Sequence, residues 1–361
     1  MNIVYVYADS QAEWNSAEWR CAIPARAIQK TSRHTAALLD IESFAKNTKE
    51  AKAICNSSDL IIVQRNLFGP VLNVIQYWKA RDKVLVVDFD DAYNFMPPTV
   101  KNYEFWIQGK LTRKGPNQEQ VLTIIDPPPL TQFKLGLRLV HAATVPAAAL
   151  INDWSEYAPV YHVPNYIEVE RYSQAVHTPH EDIIIGWGGS LSHLQSFEES
   201  GIATALRNIC SSRPKVKIMI CGDKRVFNSM PVPEGQKIFQ PWVLADQWPY
   251  QLANFDIGLA PLSGPYDQRR SWIKVLEYLI MKIPWVASEG PAYHSLRPYG
   301  WLVPNNASAW DRILFDLVDH LDDYKQEASR DPYLFGISQS MDDNVERVLL
   351  TYSKILEKAQ A

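Results

Sequence analysis

The chain has 361 residues, 47% of them apolar and 21% charged, with a formal net charge of −4. That length exceeds one ordinary core and implies two domains, and the composition is that of a globular protein. The acidic balance argues against a nucleic-acid partner held by bulk positive charge. Cys21, Cys55, Cys210 and Cys221 are spread along the chain without a C-x-x-C or a Cys/His cluster. They read as buried free thiols in a reducing compartment, and no metal ligands are expected. The N-terminal MNIVYVYADS reads as a first strand rather than a signal peptide, and no apolar run is long enough to span a bilayer. A cytoplasmic location is expected.

Short apolar runs alternate with helical patterns from the start. Strands are expected at Ile3–Tyr7, His34–Leu39, Leu60–Gln64, Val84–Val87 and Val140–Val145, with helices at Ala17–Lys30 and Pro70–Ala80 among those between them. Buried strands alternating with helices imply a parallel sheet covered on both faces. The loop after the first strand carries Asp9, Ser10 and Gln11, and Arg20 lies on the helix that follows. The fourth strand ends in Asp88, Asp90 and Asp91. Three carboxylates at a strand end suit either holding a neighbouring loop or accepting from substrate hydroxyls. Residues Asn102–Pro129 break the rhythm with glycines, prolines, charges and aromatics, and read as a long functional or mobile loop.

The pattern restarts with strands at Ile183–Trp187, Val216–Cys221, Lys237–Gln240, Asp256–Ala260 and Trp285–Ser288. Helices fit Ser192–Cys210, Ala245–Asn254, Ser271–Lys282 and Ala307–Asp322, and a closing helix fits Asp342–Lys358. Open parallel sheets bind ligands beyond the carboxyl ends of their strands, so polar residues just after strands are the candidates. The loop Gly186-Trp187-Gly188-Gly189-Ser190 follows the first of these strands. It fails the dinucleotide fingerprint because Leu191 stands at the third glycine position, which disfavours a dehydrogenase. Gly188 and Gly189 still admit backbone N–H groups close to a phosphate, and a plain tight turn is the alternative. His193 is either a phosphate or sugar contact or a surface residue early in a helix.

The stretch IGLAPLSGPYDQRRSWIKVLEYLIMKIPWVAS, Ile257 to Ser288, joins two buried strands through a basic loop and a helix. On a helical wheel, Trp272, Leu276, Leu279, Ile280 and Ile283 share one side, and Arg270, Lys274 and Glu277 the other. A solvated face with a Lys274–Glu277 pair explains this blandly. The helix nevertheless starts at the functional edge of the sheet, where free N–H groups, Arg269, Arg270 and Lys274 suit a diphosphate. Glu277, one turn further in and acceptor-only, suits the vicinal hydroxyls of a ribose.

This segment resembles the donor site of GT-B glycosyltransferases, specifically the family 4-like group, in which a D-I-G-L-x-P strand precedes a helix ending E-[AY]-x-x-x-G-x-P-V-V. Glu277 falls on that group's ribose-binding glutamate, Lys282 replaces the glycine of the final turn, and Arg269 replaces a second glutamate eight residues earlier. Other segments resemble the family in the correct order. VHAATVPAAALINDWSEYAPVYHVPNYIEVERY is similar to the crossover into the C-terminal domain, IIIGWGGSLSHLQSF to its first strand and glycine loop, and IFQPWVLADQWPYQLANFDIGLAPL to its base-binding loop.

The resemblance implies an α/β GT-B fold of two Rossmann-like doubly wound domains facing across a cleft. An acceptor-side domain would span 1–165, a nucleotide-sugar domain 166–340, and a C-terminal helix 341–361 would cross back. It implies diphosphate contacts at Gly188, Gly189, Ser190, Arg270, Ser271 and Lys274, a ribose contact at Glu277, and a base-binding loop at Pro241, Trp242 and Val243. The acceptor side would hold Asp9, Arg20 and Tyr93, and Asp90 and Asp91 would be the catalytic candidates. Arg20 pairing with Glu13 or Glu18 on the surface is an equal alternative, as is burial for the aromatics Tyr93, Phe95, Tyr103, Phe105 and Trp106. The implied reaction is metal-independent transfer from a nucleotide-sugar substrate, with retention, to a glycan, lipid-linked or protein acceptor. A lipid-linked acceptor would bring the chain to the inner face of the membrane, although no strongly basic amphipathic helix supports it. Three other readings remain: a nucleotide-sugar epimerase or phosphorylase, a non-catalytic nucleotide- or glycan-binding protein, and a metal-dependent GT-A enzyme using Asp88-Phe89-Asp90 as its D-x-D.

Overall fold

The computed structural model describes residues 1–10, 13, 15–100, 102–114 and 119–361, with the backbone alone at Lys114; Gln11 lies outside them. The chain forms two compact units. One comprises the N-terminal strand, Asn15–Asn165 and Asn344–Ala361, and the other Tyr166–Asp343. Among the described residues no helix is long and apolar enough to cross a membrane.

In the first unit, β1 (Asn2–Tyr7), β2 (Thr35–Asp40), β3 (Leu60–Gln64), β4 (Val84–Asp88), β7 (Ala142–Val145) and β8 (Val160–His162) form a sheet in the order β2-β1-β3-β4-β7-β8. Every pairing is parallel. β3 and β4 are buried at every position, which is why they read as apolar runs up to their last residues, Gln64 and Asp88. The expected long loop is a helix, Tyr103–Gln108, followed by an antiparallel hairpin of β5 (Lys110–Lys114) and β6 (Gln120–Ile124). Gly109 sits between them with φ +69°, and a Cβ there would meet the Ile125 carbonyl oxygen at 2.2 Å. The expected helix Ala17–Lys30 is two pieces, a wide π turn at Glu18–Ala22 and an α-helix at Ile23–Lys30. Pro24 lacks the N–H that would bond back to Arg20, so the regular ladder cannot run through.

In the second unit, β9 (Ile183–Gly189), β10 (Val216–Gly222), β11 (Lys237–Pro241), β12 (Ile257–Ala260), β13 (Trp285–Ser288) and β14 (Trp301–Val303) form a second sheet in the order β11-β10-β9-β12-β13-β14. It too is parallel throughout. The chain order reverses direction between β9 and β12, and the carboxyl ends of those strands are where a doubly wound sheet takes its ligand. The expected helix Ser192–Cys210 breaks into Leu194–Glu199 and Ile202–Ser212 at Gly201, whose φ is +85°. Ile202, Leu206 and Ile209 pack with Trp187, Ile218, Trp310 and Leu314 into a core on one face of the sheet. The closing helix runs Met341–Gln360, and all four cysteines are free and buried.

Candidate functional site

The glycine end of β9, the end of β10 and the start of the Ile273–Ile280 helix meet at the carboxyl edge of the second sheet. Lys274 Nζ donates to the Gly188 carbonyl at 2.5 Å and stands 5.0 Å from the Trp187 ring centre. A Cβ on Gly188 would lie 2.1 Å from the Trp248 ring, and one on Gly189 would lie 2.6 Å from Trp187. Close aromatic packing therefore demands both glycines, whatever approaches them. Arg270 donates to Ser192 Oγ at 2.9 Å and to Asp267 Oδ1 at 3.2 Å, and its guanidinium lies 4.7 Å from the Tyr266 ring centre. Ser190 and Ser192 share a 2.7 Å hydrogen bond, so Ser190 joins the same group. Ser271 is half-buried two residues before the helix.

Glu277 overturns the solvated-face account of this helix, because it is only 2% exposed. Its Oε1 accepts from Tyr172 OH at 3.0 Å and from Trp248 Nε1 at 2.9 Å. Among the described residues no donor bonds Oε2. Burial raises the Glu277 carboxyl and lowers the Lys274 ammonium, since each charge has given up water. Two desolvated, opposite charges one turn apart, without a direct hydrogen bond to each other, are poised for a ligand that carries both an anion and hydroxyl donors.

His193 is not a surface residue: its side chain is 12% exposed and its ring meets Trp187 edge-on at 5.8 Å. Burial, then Arg270 and Lys274, hold its pKa well below the usual histidine value. Its buried Nδ1 has no hydrogen-bond partner among the described residues. The Pro241-Trp242-Val243 loop reaches the same edge. Pro241 ends β11, Val243 is half-buried, and Trp242 is 52% exposed. A Cβ on Gly222 would lie 3.3 Å from the Trp242 ring and 2.5 Å from the Gly189 carbonyl oxygen.

The first unit has its own polar edge, at the ends of β1, β3 and β4. Arg20 is buried and grips Asp88 with two bonds, Nε to Oδ1 at 2.8 Å and Nη2 to Oδ2 at 2.6 Å. Its Nη1 donates to Val163 O and Asn165 Oδ1, and Thr144 Oγ1 also donates to Asp88. Arg20 is thus a fixture of the sheet edge, making neither the surface pair with Glu13 or Glu18 nor an outward-facing contact. Asp88 is correspondingly committed, which removes half of the D-x-D pair. Asp90 Oδ2 accepts from Ser16 Oγ at 2.5 Å, and Asp91 is half-buried beside it in the chain. Asp9 accepts from Gln64 at 3.0 Å and from Arg65.

Tyr93 is corrected outright as an acceptor-side contact. It is 1% exposed, stacked on Trp106 at 4.1 Å and edge-on to Phe133 at 5.2 Å, so it belongs to an aromatic core. Phe95 is the exposed member of the group, at 38%. The sequence reading missed Arg65, Tyr172, Trp248 and Asp267. Arg65 directly follows β3, a position at which an open parallel sheet carries polar residues toward its ligand edge.

No protein-family model matches the chain, and no curated protein matches it by sequence. Solved structures do match. The Anabaena protein HepE in complex with UDP aligns at 14% identity over 98% of this chain and 100% of its own, with a TM-score of 0.62. Sucrose-phosphate synthase from Thermosynechococcus elongatus aligns at 10% identity over 99% of both chains, with a TM-score of 0.64. A putative UDP-N-acetylglucosamine 2-epimerase from Listeria monocytogenes aligns at 11% identity over 99% of this chain and 97% of its own, with a TM-score of 0.56. These likenesses run the length of the chain, and its fold is the two-domain α/β fold of the GT-B glycosyltransferases.

Proposed function

We propose that the protein is a glycosyltransferase whose nucleotide-sugar donor, with UDP as the nucleotide, binds at the carboxyl edge of the second sheet. The observation that carries this is the placing of Lys274, Arg270 and Glu277 around the glycine end of β9 at the switch point of the sheet. Arg270, Lys274, Ser190, Ser271 and the N–H groups near Gly188 and Gly189 would hold the diphosphate. Glu277 Oε2 would accept from the ribose hydroxyls, and Trp242 would offer its face to the base. As the glycosidic bond breaks, charge grows on the leaving diphosphate, and fixed cations in a desolvated site stabilise it without reorganisation. In this reading the chemistry is metal-independent and proceeds with retention. The first unit would bind the acceptor through Asp9, Asp90 and Asp91, with Asp91 the candidate base, and a glycan, lipid-linked or protein acceptor fits equally. The choice of UDP rests on HepE, solved with UDP and also with UDP and glucose.

The test is thermal unfolding against UDP, GDP, ADP, CDP and dTDP, with and without Mg²⁺ or Mn²⁺. UDP at ~100 times its dissociation constant adds about 2.7 kcal/mol of stability, a readily measured shift. Lys274→Ala should weaken UDP at least tenfold. Glu277→Gln should weaken UDP but leave pyrophosphate affinity unchanged. No response to any nucleotide sinks the proposal and favours a binding role other than nucleotide. The epimerase reading has one specific support, the epimerase of like fold. It predicts an isomerised sugar nucleotide without acceptor, whereas transfer releases free UDP only with one.

A further inference from the structure

At the opposite, amino edge of the second sheet, His177, His180 and Asp256 place their ligand atoms within 4.8 Å of one another. Asp256 immediately precedes β12 and is 3% exposed, and its Oδ2 accepts from the Ile184 N–H at 2.7 Å. From there to the glycine end of β9 the strand rises roughly 17 Å at ~3.3 Å per residue, so this cluster is separate from the nucleotide edge.

The hydrogen bonds around the histidines fix which ring nitrogen faces Asp256. His177 Nδ1 lies 2.8 Å from the Ala253 carbonyl oxygen, and His180 Nδ1 lies 2.6 Å from that of Asp182. A carbonyl only accepts, so each Nδ1 carries a proton and donates it. In a neutral ring that leaves Nε2 as a bare lone pair. Both Nε2 atoms face the Asp256 carboxylate, at 3.7 Å for His177 and 3.6 Å for His180. With both rings neutral, two lone pairs and a carboxylate turned toward one point repel each other unless a cation stands among them. An imidazole anchored through Nδ1–H to a backbone carbonyl, with Nε2 turned inward, is how proteins orient histidine ligands.

A cation already lies nearby. Lys325, on the Leu321–Ala328 helix, donates to Asp256 Oδ1, and its side chain is 33% exposed. It can swing into solvent and free that oxygen. A tetrahedral zinc centre needs ligand atoms ~3.3 Å apart, so closing the set asks for movements under about 1 Å by part-exposed histidines. A cavity of about 440 Å³ adjoins the cluster, lined in part by His177, Asp256 and Lys325, with room for water at a fourth position.

We propose that His177, His180 and Asp256 bind a divalent transition metal of the zinc class, with Lys325 displaced as it enters. Two imidazoles and one carboxylate suit zinc over magnesium or calcium, which take oxygen ligands. The metal would tie the segment carrying His177 and His180, which has no helix or strand, to the amino edge of the sheet.

The test uses the full chain, free of any affinity tag and stripped with a chelator. It is titrated with Zn²⁺ by calorimetry and with Co²⁺ by visible absorption. The expected result is one Zn²⁺ per chain and the visible bands of four-coordinate cobalt. His177→Ala and His180→Ala should each weaken Zn²⁺ at least tenfold, and Lys325→Gln should strengthen it. No saturable binding, or binding that both histidine variants leave unchanged, overturns the proposal and leaves Lys325 as the cation that holds Asp256. If a histidine variant fails to fold, Lys325→Gln still decides, because a site without metal gains nothing from losing that lysine. An unchanged UDP response in His177→Ala separates this site from the nucleotide edge.

Discussion

His193 shows how a single side chain reports on the charge around it. Its ring is buried against Trp187, close to Arg270 and Lys274, with Asp267 Oδ2 3.8 Å from Nδ1. Burial and the two cations outweigh that carboxylate and lower the pKa in the folded chain. In the unfolded chain it returns to about 6.5. As pH falls below that value the unfolded state takes up the proton first, so the stability His193 contributes at neutral pH is lost on acidification. Urea unfolding from pH 7 to pH 5 should therefore fall by up to about 1.4 kcal/mol per pH unit from this residue. The variant His193→Asn should show a flatter dependence. His34, His141 and His162 are also lowered, chiefly by burial, but both proteins carry them, so the difference isolates His193. An unchanged slope would mean that position 193 does not sense the cations of the site.

At the level of elements, what could be read from the sequence was what periodicity carries. β3, β4 and β13 lie where apolar runs placed them, because a strand covered on both faces needs apolar residues throughout. β8 and β14, three residues each at sheet edges, are too short to show a period. The β5–β6 hairpin escaped because the described side chains of β6 are exposed along its length, so no buried face marks it. The Lys274–Glu277 helix could be found from its place after a strand, but the donors that hold Glu277 come from Tyr172 and Trp248, elsewhere in the chain. His177 and His180 carry no signal in the sequence, because Asp256, far along the chain, meets them only in the folded sheet. The break at Gly201 was also missed, since one glycine in an apolar pattern reads as helix. That break is a requirement. With φ +85°, and an added Cβ 2.4 Å from the Ala307 backbone nitrogen, any side chain meets both strain and a clash. Gly201→Ala should cost at least 1–2 kcal/mol, the left-handed penalty alone, read as a lower urea midpoint at unchanged slope. A neutral result would show that Ile202–Ser212 can shift away from the Ala307–Asp319 helix without loss.

For the whole molecule, the order of the chain is not the order of its units. The first unit begins the chain, yet it also claims Asn344–Ala361 from the far end. The closing helix explains why. Its Val345, Val348, Leu349, Tyr352 and Ile355 are all buried, and Tyr5 OH of the interior strand β1 donates to Tyr352 OH at 3.1 Å. Burying a large apolar side chain contributes about 1.5–3 kcal/mol, so five of them contribute on the order of 7–15 kcal/mol. That rivals the entire net stability of an ordinary domain, about 5–15 kcal/mol. The first unit therefore has little independent stability until the last residues are in place. Truncation after Asp343 should leave it open to protease under conditions in which the full chain resists. Tyr352→Phe keeps the packing but leaves the buried Tyr5 hydroxyl without its acceptor, at a cost of about 1–3 kcal/mol, well short of losing the helix. Limited proteolysis with mass mapping reads both. Early cuts in Asn15–Asn165 of the truncated chain, with Tyr352→Phe close to wild type, would show that packing of the last helix completes the first unit. A truncated chain that resists as well as the full one would mean that the sheet and its other helices suffice.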